Sequence, residues 1–175
     1  MKKQIVRLTF ILVLVLSLAV CSIAFFGCGE TESSGGGTSG SGKITCTADK
    51  NGGKVDVTVN LVKNPGYSNL LLTLDYDDEV LTFTGYDLGT ALASMNMLPT
   101  GSITITPFKF LYGPINGKDT STGKMMTLHF RVKTSAPSGT TYVGFIYKKN
   151  SGVYRAEEKG NIYLNPEITY AKVTV

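Results

Sequence analysis

The sequence is poor in the residues that build metal and redox sites. It has no tryptophan, three cysteines and one histidine among 175 residues. Cys21 and Cys28 lie in an N-terminal apolar segment, which leaves Cys46 alone in the rest of the chain. One histidine and one cysteine do not make a zinc site, and one thiol cannot form an internal disulfide. A hydrophobic core must therefore hold the folded part together.

Patterns typical of catalysis are also missing. His129 lies between Leu128 and Phe130 in a strand-like segment, and strand alternation predicts that its side chain faces solvent. No serine or cysteine stands in a nucleophile-elbow context. The acidic run of Asp75 and residues 77–79 could be imagined as a calcium site or a glycosidase pair, but a solvated β-turn explains it better. The sequence predicts no catalytic residue, no cofactor and no bound metal.

The charge balance gives no sign of a nucleic-acid partner. The chain has 17 basic and 13 acidic residues, but Lys2, Lys3 and Arg7 precede the apolar segment. The remainder holds 14 basic against 13 acidic residues, a net charge of +1. Such a balance lacks the basic patch that nucleic-acid binding requires.

Residues 1–27 have the pattern of an export signal. A basic start is followed by an apolar run from Leu8 to Phe26. The run ends at Gly27-Cys28, which resembles a bacterial lipoprotein signal, so Cys28 is the predicted lipid anchor and Cys21 a second candidate. The alternative is an uncleaved signal anchor, because a spanning helix needs about 20 apolar residues. Both alternatives hold the rest of the chain at the extracellular face of the membrane.

The remaining chain divides into a tether and one domain. Residues 28–42 are rich in glycine and serine, and we expect a flexible coil with a mean reach on the order of 20 Å. Residues 43–175 are long enough for one domain with a substantial core.

The spacing of turn signals in this domain is typical of an all-β chain. Val55, Val57, Val59 and Leu61 alternate with polar residues, and turn signals such as Asn64-Pro65-Gly66 separate the apolar runs. No stretch has a convincing helical period, although residues 88–97 could take a helical turn or two. We predict an antiparallel β-sandwich. Further strands are predicted at residues 69–76, 80–86, 102–108, 124–132, 140–147, 161–164 and 167–175.

One residue in the stretch 69–76 does not fit its position. Alternation sends Leu70, Leu72 and Leu74 to the core face of the strand. The other face carries Asn69, Thr73 and Asp75 and would be polar, except that Leu71 lies between them.

Four stretches, in this order, resemble a cohesin domain, the module of cellulosome scaffoldins that docks the dockerin modules of secreted enzymes. They are GGKVDVTVNLVKNPG (52–66), NLLLTLDYDDEVLTFTGYDLG (69–89), TGSITITPF (100–108) and GKMMTLHFRVKTSAPSGTTYVGF (123–145). The resemblance is closest to type I cohesins. It implies a jelly-roll sandwich of about nine strands and a function in protein binding, not catalysis. The implied partner is a calcium-loaded dockerin on a secreted protein, with the calcium on the partner.

The resemblance also implies a binding face. Type I cohesins carry an asparagine and an aspartate two residues apart on the strand before Tyr-Asp, and these positions are Asn69 and Leu71 here. The apolar Leu71 would then be exposed for a partner. The other partner-binding positions that the resemblance implies are Leu98 (often Tyr), Pro107 (often Leu), Phe110 (often Glu), Gly113 and, by a looser match, Val153.

Two alternatives remain open at this stage. Leu71 could pack beneath the segment 87–101 and contact no partner. The domain could instead be a carbohydrate-binding sandwich that attaches cells to polysaccharide. Its aromatic platform would come from Tyr67, Tyr86, Tyr112, Tyr147 and Tyr154.

Overall fold

The computed structural model describes residues 41–100 and 107–175, which fold into two stacked β-sheets. The strands are β1 (Lys43–Asn51), β2 (Lys54–Lys63), β3 (Asn69–Tyr76), β4 (Leu81–Leu88), β5 (Met97–Thr100), β6 (Lys109–Tyr112), β7 (Gly123–Val132), β8 (Thr140–Ile146), β9 (Val153–Glu157), β10 (Gly160–Tyr163), β11 (Glu167–Thr169) and β12 (Ala171–Thr174). Among the described residues, no helix is long and apolar enough to span a membrane.

The first sheet has the strand order β11-β1-β2-β7-β4. The second has the order β10-β9-β3-β6-β5, with β8 paired to the later half of β3 and β12 paired to β8. All pairs are antiparallel except β1 with β11. The predicted antiparallel β-sandwich is therefore confirmed. The strands exceed the expected nine partly because the closing segment 167–175 is two strands, one in each sheet.

Strand alternation decides which side chains fill the space between the sheets. Val55, Val57, Val59 and Leu61 of β2 are fully buried, as the sequence pattern predicts. Leu70, Leu72 and Leu74 of β3 are buried across from them at 2% exposure or less. Each such side chain contributes about 1.5–3 kcal/mol when it leaves water, so burial between the two inner faces is the main favourable contribution to folding.

An aromatic cluster lies in the core under the second sheet. The ring of Phe110 packs edge-to-face against Phe108, Tyr86 and Phe145, at centroid distances of 4.9, 5.2 and 5.9 Å. Edge-to-face pairs at these separations add about 0.5–1.5 kcal/mol to the burial itself. Phe110 is therefore a core residue at the centre of β6.

The turn between β2 and β3 carries the chain from one sheet to the other. The side-chain oxygen of Asn64 accepts hydrogen bonds from the backbone N–H groups of Gly66 and Tyr67, at 2.9 and 3.1 Å. Gly66 has a φ of +92°, which glycine adopts without strain. This is the Asx-type turn that Asn64-Pro65-Gly66 predicts.

The outer face of the first sheet holds the one histidine of the chain. Nδ1 of His129 lies 2.8 Å from a carboxylate oxygen of Asp56, and Nε2 lies 3.1 Å from one of Asp87. The contacts tie β2, β7 and β4 together. The side-chain hydrogen bond to Asp56 raises the pKa of His129 above its ordinary value of 6.5, burial opposes this, and the bond to Asp87 adds to the rise. The predicted solvent-facing position is confirmed, since the side chain is 33% exposed.

Truncating two neighbouring residues of β6 tests which of its side chains faces the core. Phe110→Ala should lower the free energy of unfolding by about 3–5 kcal/mol, because it empties the centre of the aromatic cluster. Leu111→Ala, one residue along and facing outward, should cost about 1 kcal/mol or less. Urea unfolding followed by circular dichroism measures both. Equal losses for the two variants would contradict the register described here.

The Asp56–His129–Asp87 contact should make stability depend on pH. Because the pKa of His129 is higher in the folded state, its contribution is fully present below pH 6.5 and is lost as the pH rises through the folded pKa. Urea midpoints measured from about pH 5.5 to about pH 8.5 should fall over this interval in the parent protein. His129→Gln should remove the fall, and Asp56→Asn should shift it to lower pH. An unchanged profile in His129→Gln would show that the histidine is not its source.

Candidate functional site

The outer face of the second sheet differs from the polar outer face of the first. Its outward positions include Asn69, Leu71, Thr73 and Asp75 of β3, Leu98 and Thr100 of β5, Lys109 and Leu111 of β6, Ile146 of β8 and Tyr154 of β9. We call this surface the leucine face.

Three leucines form a continuous row across the leucine face. Leu71 of β3 is paired with Leu111 of β6, and Leu111 is paired on its other side with Leu98 of β5. Side chains directly opposite on neighbouring strands lie within contact distance, so the three make one apolar strip. Leu98 is 52% exposed, and the other two are half-buried. The strip is open to solvent on the sheet surface.

Leu71 is partly covered by the connection between β8 and β9. Its backbone N–H donates to the carbonyl oxygen of Gly152 at 2.9 Å. A Cβ atom on Gly152 would lie 3.0 Å from Cβ of Leu71, and Gly152 has a φ of +74°. Glycine therefore lets this connection approach the leucine closely. The alternative was that Leu71 packs beneath the segment 87–101. In that segment, residues Met97–Thr100 form β5, and β6 lies between β5 and β3.

Asn69 supports the leucine face from below its surface. Its side chain is 7% exposed, and its amide nitrogen donates to the same Gly152 carbonyl oxygen at 2.6 Å. The amide is thus occupied within the chain and fixes the β8–β9 connection. We expect Asn69 to position Leu71 and Gly152.

Besides Asn69, three predicted partner-binding residues are buried. Phe110 is fully buried in the aromatic cluster, and Val153 is 1% exposed and paired with inward-facing Leu70. Both predictions are wrong because alternation turns these side chains into the core; on β6 the outward residue is Leu111. Gly113 is also buried, and a Cβ atom there would lie 2.5 Å from the carbonyl oxygen of Ser68. Glycine is needed at 113 for this close approach, and it offers no side chain to a partner.

Leu98 and Pro107 are exposed, as a binding role requires. Leu98 belongs to the leucine row, whereas Pro107 directly follows residues 101–106. Most of the strand predicted at 102–108 lies outside the described residues. So do Cys28, the signal predicted at 1–27 and all but the last two residues of the tether predicted at 28–42.

Sequence reasoning missed Leu111 and Ile146. A strand was predicted at the alternating stretch 102–108, and none was predicted at the short β6 that follows it. The available signal was the alternation of Phe108, Phe110 and Tyr112 with Lys109 and Leu111. Ile146 is 51% exposed and paired with Thr73, so it extends the apolar surface beyond the leucine row.

Tyr170 closes one end of the leucine face. Its hydroxyl donates to a carboxylate oxygen of Asp75 at 2.7 Å, and its ring lies over Gly144, where a Cβ atom would be 2.6 Å away. Burial first, and then the bond to Asp75, raise the pKa of the Tyr170 phenol, so the hydroxyl stays a donor. The carboxylate of Asp75 is thereby engaged within the chain.

The segment before β5 is held by a buried carboxylate. Asp119 accepts a hydrogen bond from the backbone N–H of Ser121 at 2.7 Å, and the hydroxyls of Ser94 and Ser121 also donate to it. Burial tends to raise the pKa of Asp119, but these hydrogen bonds outweigh it and lower the pKa. The Ser121 hydroxyl also accepts from the N–H of Leu92 at 2.8 Å. These contacts fix the chain that leads into Leu98.

The alternative of an aromatic sugar platform finds little support in the tyrosines. Tyr67 and Tyr112, two of its five predicted members, are buried in the core. Tyr154 faces outward beside Tyr163 of β10, but the two rings stand 80° apart. Perpendicular rings do not offer the flat surface on which a sugar stacks. The described residues also contain no group of three or more side chains that could hold a metal ion.

Several solved cohesins have the same fold. The seventh type I cohesin of ScaB from Pseudobacteroides cellulosolvens matches with a TM-score of 0.59 at 16% identity, covering 76% of this chain and 92% of that one. The sixth cohesin of scaffoldin B from Acetivibrio cellulolyticus, in complex with a dockerin, matches with a TM-score of 0.57 at 18% identity, over 78% and 99%. The OlpA cohesin of a type I cohesin–dockerin complex from Clostridium thermocellum gives 0.54 at 16%, over 75% and 98%.

These likenesses establish the fold. The search of curated protein sequences found no match to the chain. The family model of the cohesin domain matches residues 42–165. That range runs from the residue before β1 to the residues after β10, so it includes every strand of the leucine face except β12. The chain therefore belongs to the cohesin domain family.

Proposed function

We propose that this chain is a protein-binding module that docks a calcium-loaded dockerin on a secreted protein, such as a polysaccharide-degrading enzyme. The observation that carries the proposal is the row of Leu98, Leu111 and Leu71 on the outer face of the second sheet. A flat sheet face with an exposed apolar strip is a typical protein-interaction surface. The similar cohesins that were solved in complex with a dockerin support the choice of partner.

The leucine row supplies the apolar centre of the proposed interface. Full burial of one leucine is worth about 1.5–3 kcal/mol, and Leu98 has more than half of its surface still to bury. The β8–β9 connection and the Asp119 contacts hold Leu71 and Leu98 in place before a partner arrives. A preformed surface loses little entropy on binding, so the apolar gain contributes to affinity.

Attachment to the membrane is the second part of the proposal. A lipid on Cys28 would hold the domain at the extracellular face through the glycine- and serine-rich segment 28–42. One tethered module would serve as an anchor point for a single dockerin-bearing protein. The chain itself needs no cofactor for this role, since the calcium belongs to the partner.

Dockerin binding can be measured by calorimetry with residues 41–175, which contain the whole described core. Dockerin modules encoded in the same genome should bind in calcium and fail to bind in EDTA. Leu98→Asp should weaken the affinity by about tenfold or more, because it places a charge in the apolar centre. Leu88→Asp is the matched control, since Leu88 is 54% exposed on the first sheet.

The controls separate the parts of this proposal. Equal losses for Leu98→Asp and Leu88→Asp would remove the leucine face as the interface while leaving dockerin binding intact. No binding by any dockerin would overturn the proposed function. Polysaccharide arrays would then test the carbohydrate-binding alternative.

The lipid anchor can be tested in cells that express the full chain. Cys28→Ala should abolish incorporation of radiolabelled fatty acid and move the protein from the membrane fraction into the medium or a precursor pool. Cys21→Ala should behave like the parent chain. Labelling that follows Cys21 would reassign the anchor, and membrane retention of both variants without any label would favour the uncleaved signal anchor.

A further inference from the structure

The charged residues on the leucine face are mostly basic. The outward strand positions of the second sheet carry two lysines, Lys109 of β6 and Lys172 of β12. Asp75 is the one carboxylate among these described positions, and its oxygen is already bound by the Tyr170 hydroxyl. The position where the family resemblance implies an aspartate holds Leu71. The described strand positions of the face therefore carry two lysines against one aspartate, whose carboxylate is hydrogen-bonded within the chain.

Two more lysines adjoin the leucine row at its β3 end. Lys148 and Lys149 are exposed in the turn between β8 and β9, where the N–H of Ser151 donates to the carbonyl oxygen of Lys148 at 3.2 Å. The turn starts beyond Ile146, which pairs with Thr73, and it ends at Gly152, which bonds Leu71. The turn that carries the two lysines is thus held beside the apolar row.

These lysines have no ionic partner in the part of the chain that the structure describes. The ion pairs there involve Lys43, Lys118, His129 and Arg155, and none involves Lys109, Lys148, Lys149 or Lys172. Lys109 lies between Thr73 and Thr100, directly next to the leucine row. A partner that covers the row would bring its rim over these ammonium groups.

We infer that the leucine face selects an acidic dockerin, one whose contact surface carries apolar residues flanked by aspartate or glutamate. This inference rests on the proposed function and adds the charge of the partner to it. A rim of unpaired cations attracts an acidic surface and repels a basic one, so it acts on the association rate and on the choice among partners. The apolar row then slows dissociation.

The test measures association rates by surface plasmon resonance with calcium-loaded dockerins from the same genome. The binding partners should be those with acidic contact helices, and their association rate should fall as NaCl rises from about 20 to about 300 mM. The double variant Lys148→Glu/Lys149→Glu should slow association about tenfold or more at the lower salt, and Lys109→Glu should act in the same direction. The dissociation rate should change little.

A charge-matched control lies on the opposite sheet. Lys50→Glu/Lys54→Glu changes the net charge by the same amount at exposed positions of β1 and β2. If both double variants slow association equally, or if reversal on the leucine face leaves the rate unchanged or raises it, the inference is overturned while dockerin binding stands. If no dockerin binds the parent chain, the proposed function fails and this inference fails with it.

Discussion

Alternation of side chains along each strand is the constraint on which this structure depends. Because successive residues face opposite sides, every apolar position used by the core fixes its neighbour on the outer surface. The fully buried Leu70, Leu72 and Phe110 therefore oblige Leu71 and Leu111 to point outward. A slip of one residue on β6 would expose Phe110 and bury Lys109, and a slip on β3 would expose three core leucines and bury Asp75. The core itself therefore protects the geometry of the leucine face.

Much of the fold could be predicted from this period of two. The alternating valines of β2 and leucines of β3 were assigned to the core correctly, and Leu71 was recognised as an apolar residue on an outer face. The turn at Asn64 followed from local chemistry. Prediction failed at β6. This strand has four residues, too few to show from sequence which side chains face the core, and the longer alternating pattern at 102–108 lies next to it. Positions taken from the family pattern there, such as Phe110, consequently fell on the wrong side of the sheet.

Other features were out of reach because they join distant parts of the chain. His129 contacts Asp56 and Asp87, which lie 73 and 42 residues away. The bond of Tyr170 to Asp75 spans 95 residues. No local pattern marks such pairs; they follow from the order of strands in each sheet. The hydrogen bond that occupies Asp75, and the lysines exposed on the same face, could be recognised only after that order was known.

The position of β1 has a mechanical consequence. The chain enters the domain at Lys43, and β1 lies between β2 on one side and β11 on the other. The Gly42 carbonyl accepts a hydrogen bond from the N–H of Glu167 at 2.8 Å, so the hydrogen bonding to β11 begins one residue before β1. A pull from the N-terminus runs along β1 and loads two ladders of hydrogen bonds in shear, rather than opening them one at a time. With the N-terminal attachment proposed above, the domain would resist force in this direction, and its lifetime under load would follow the unfolding rate.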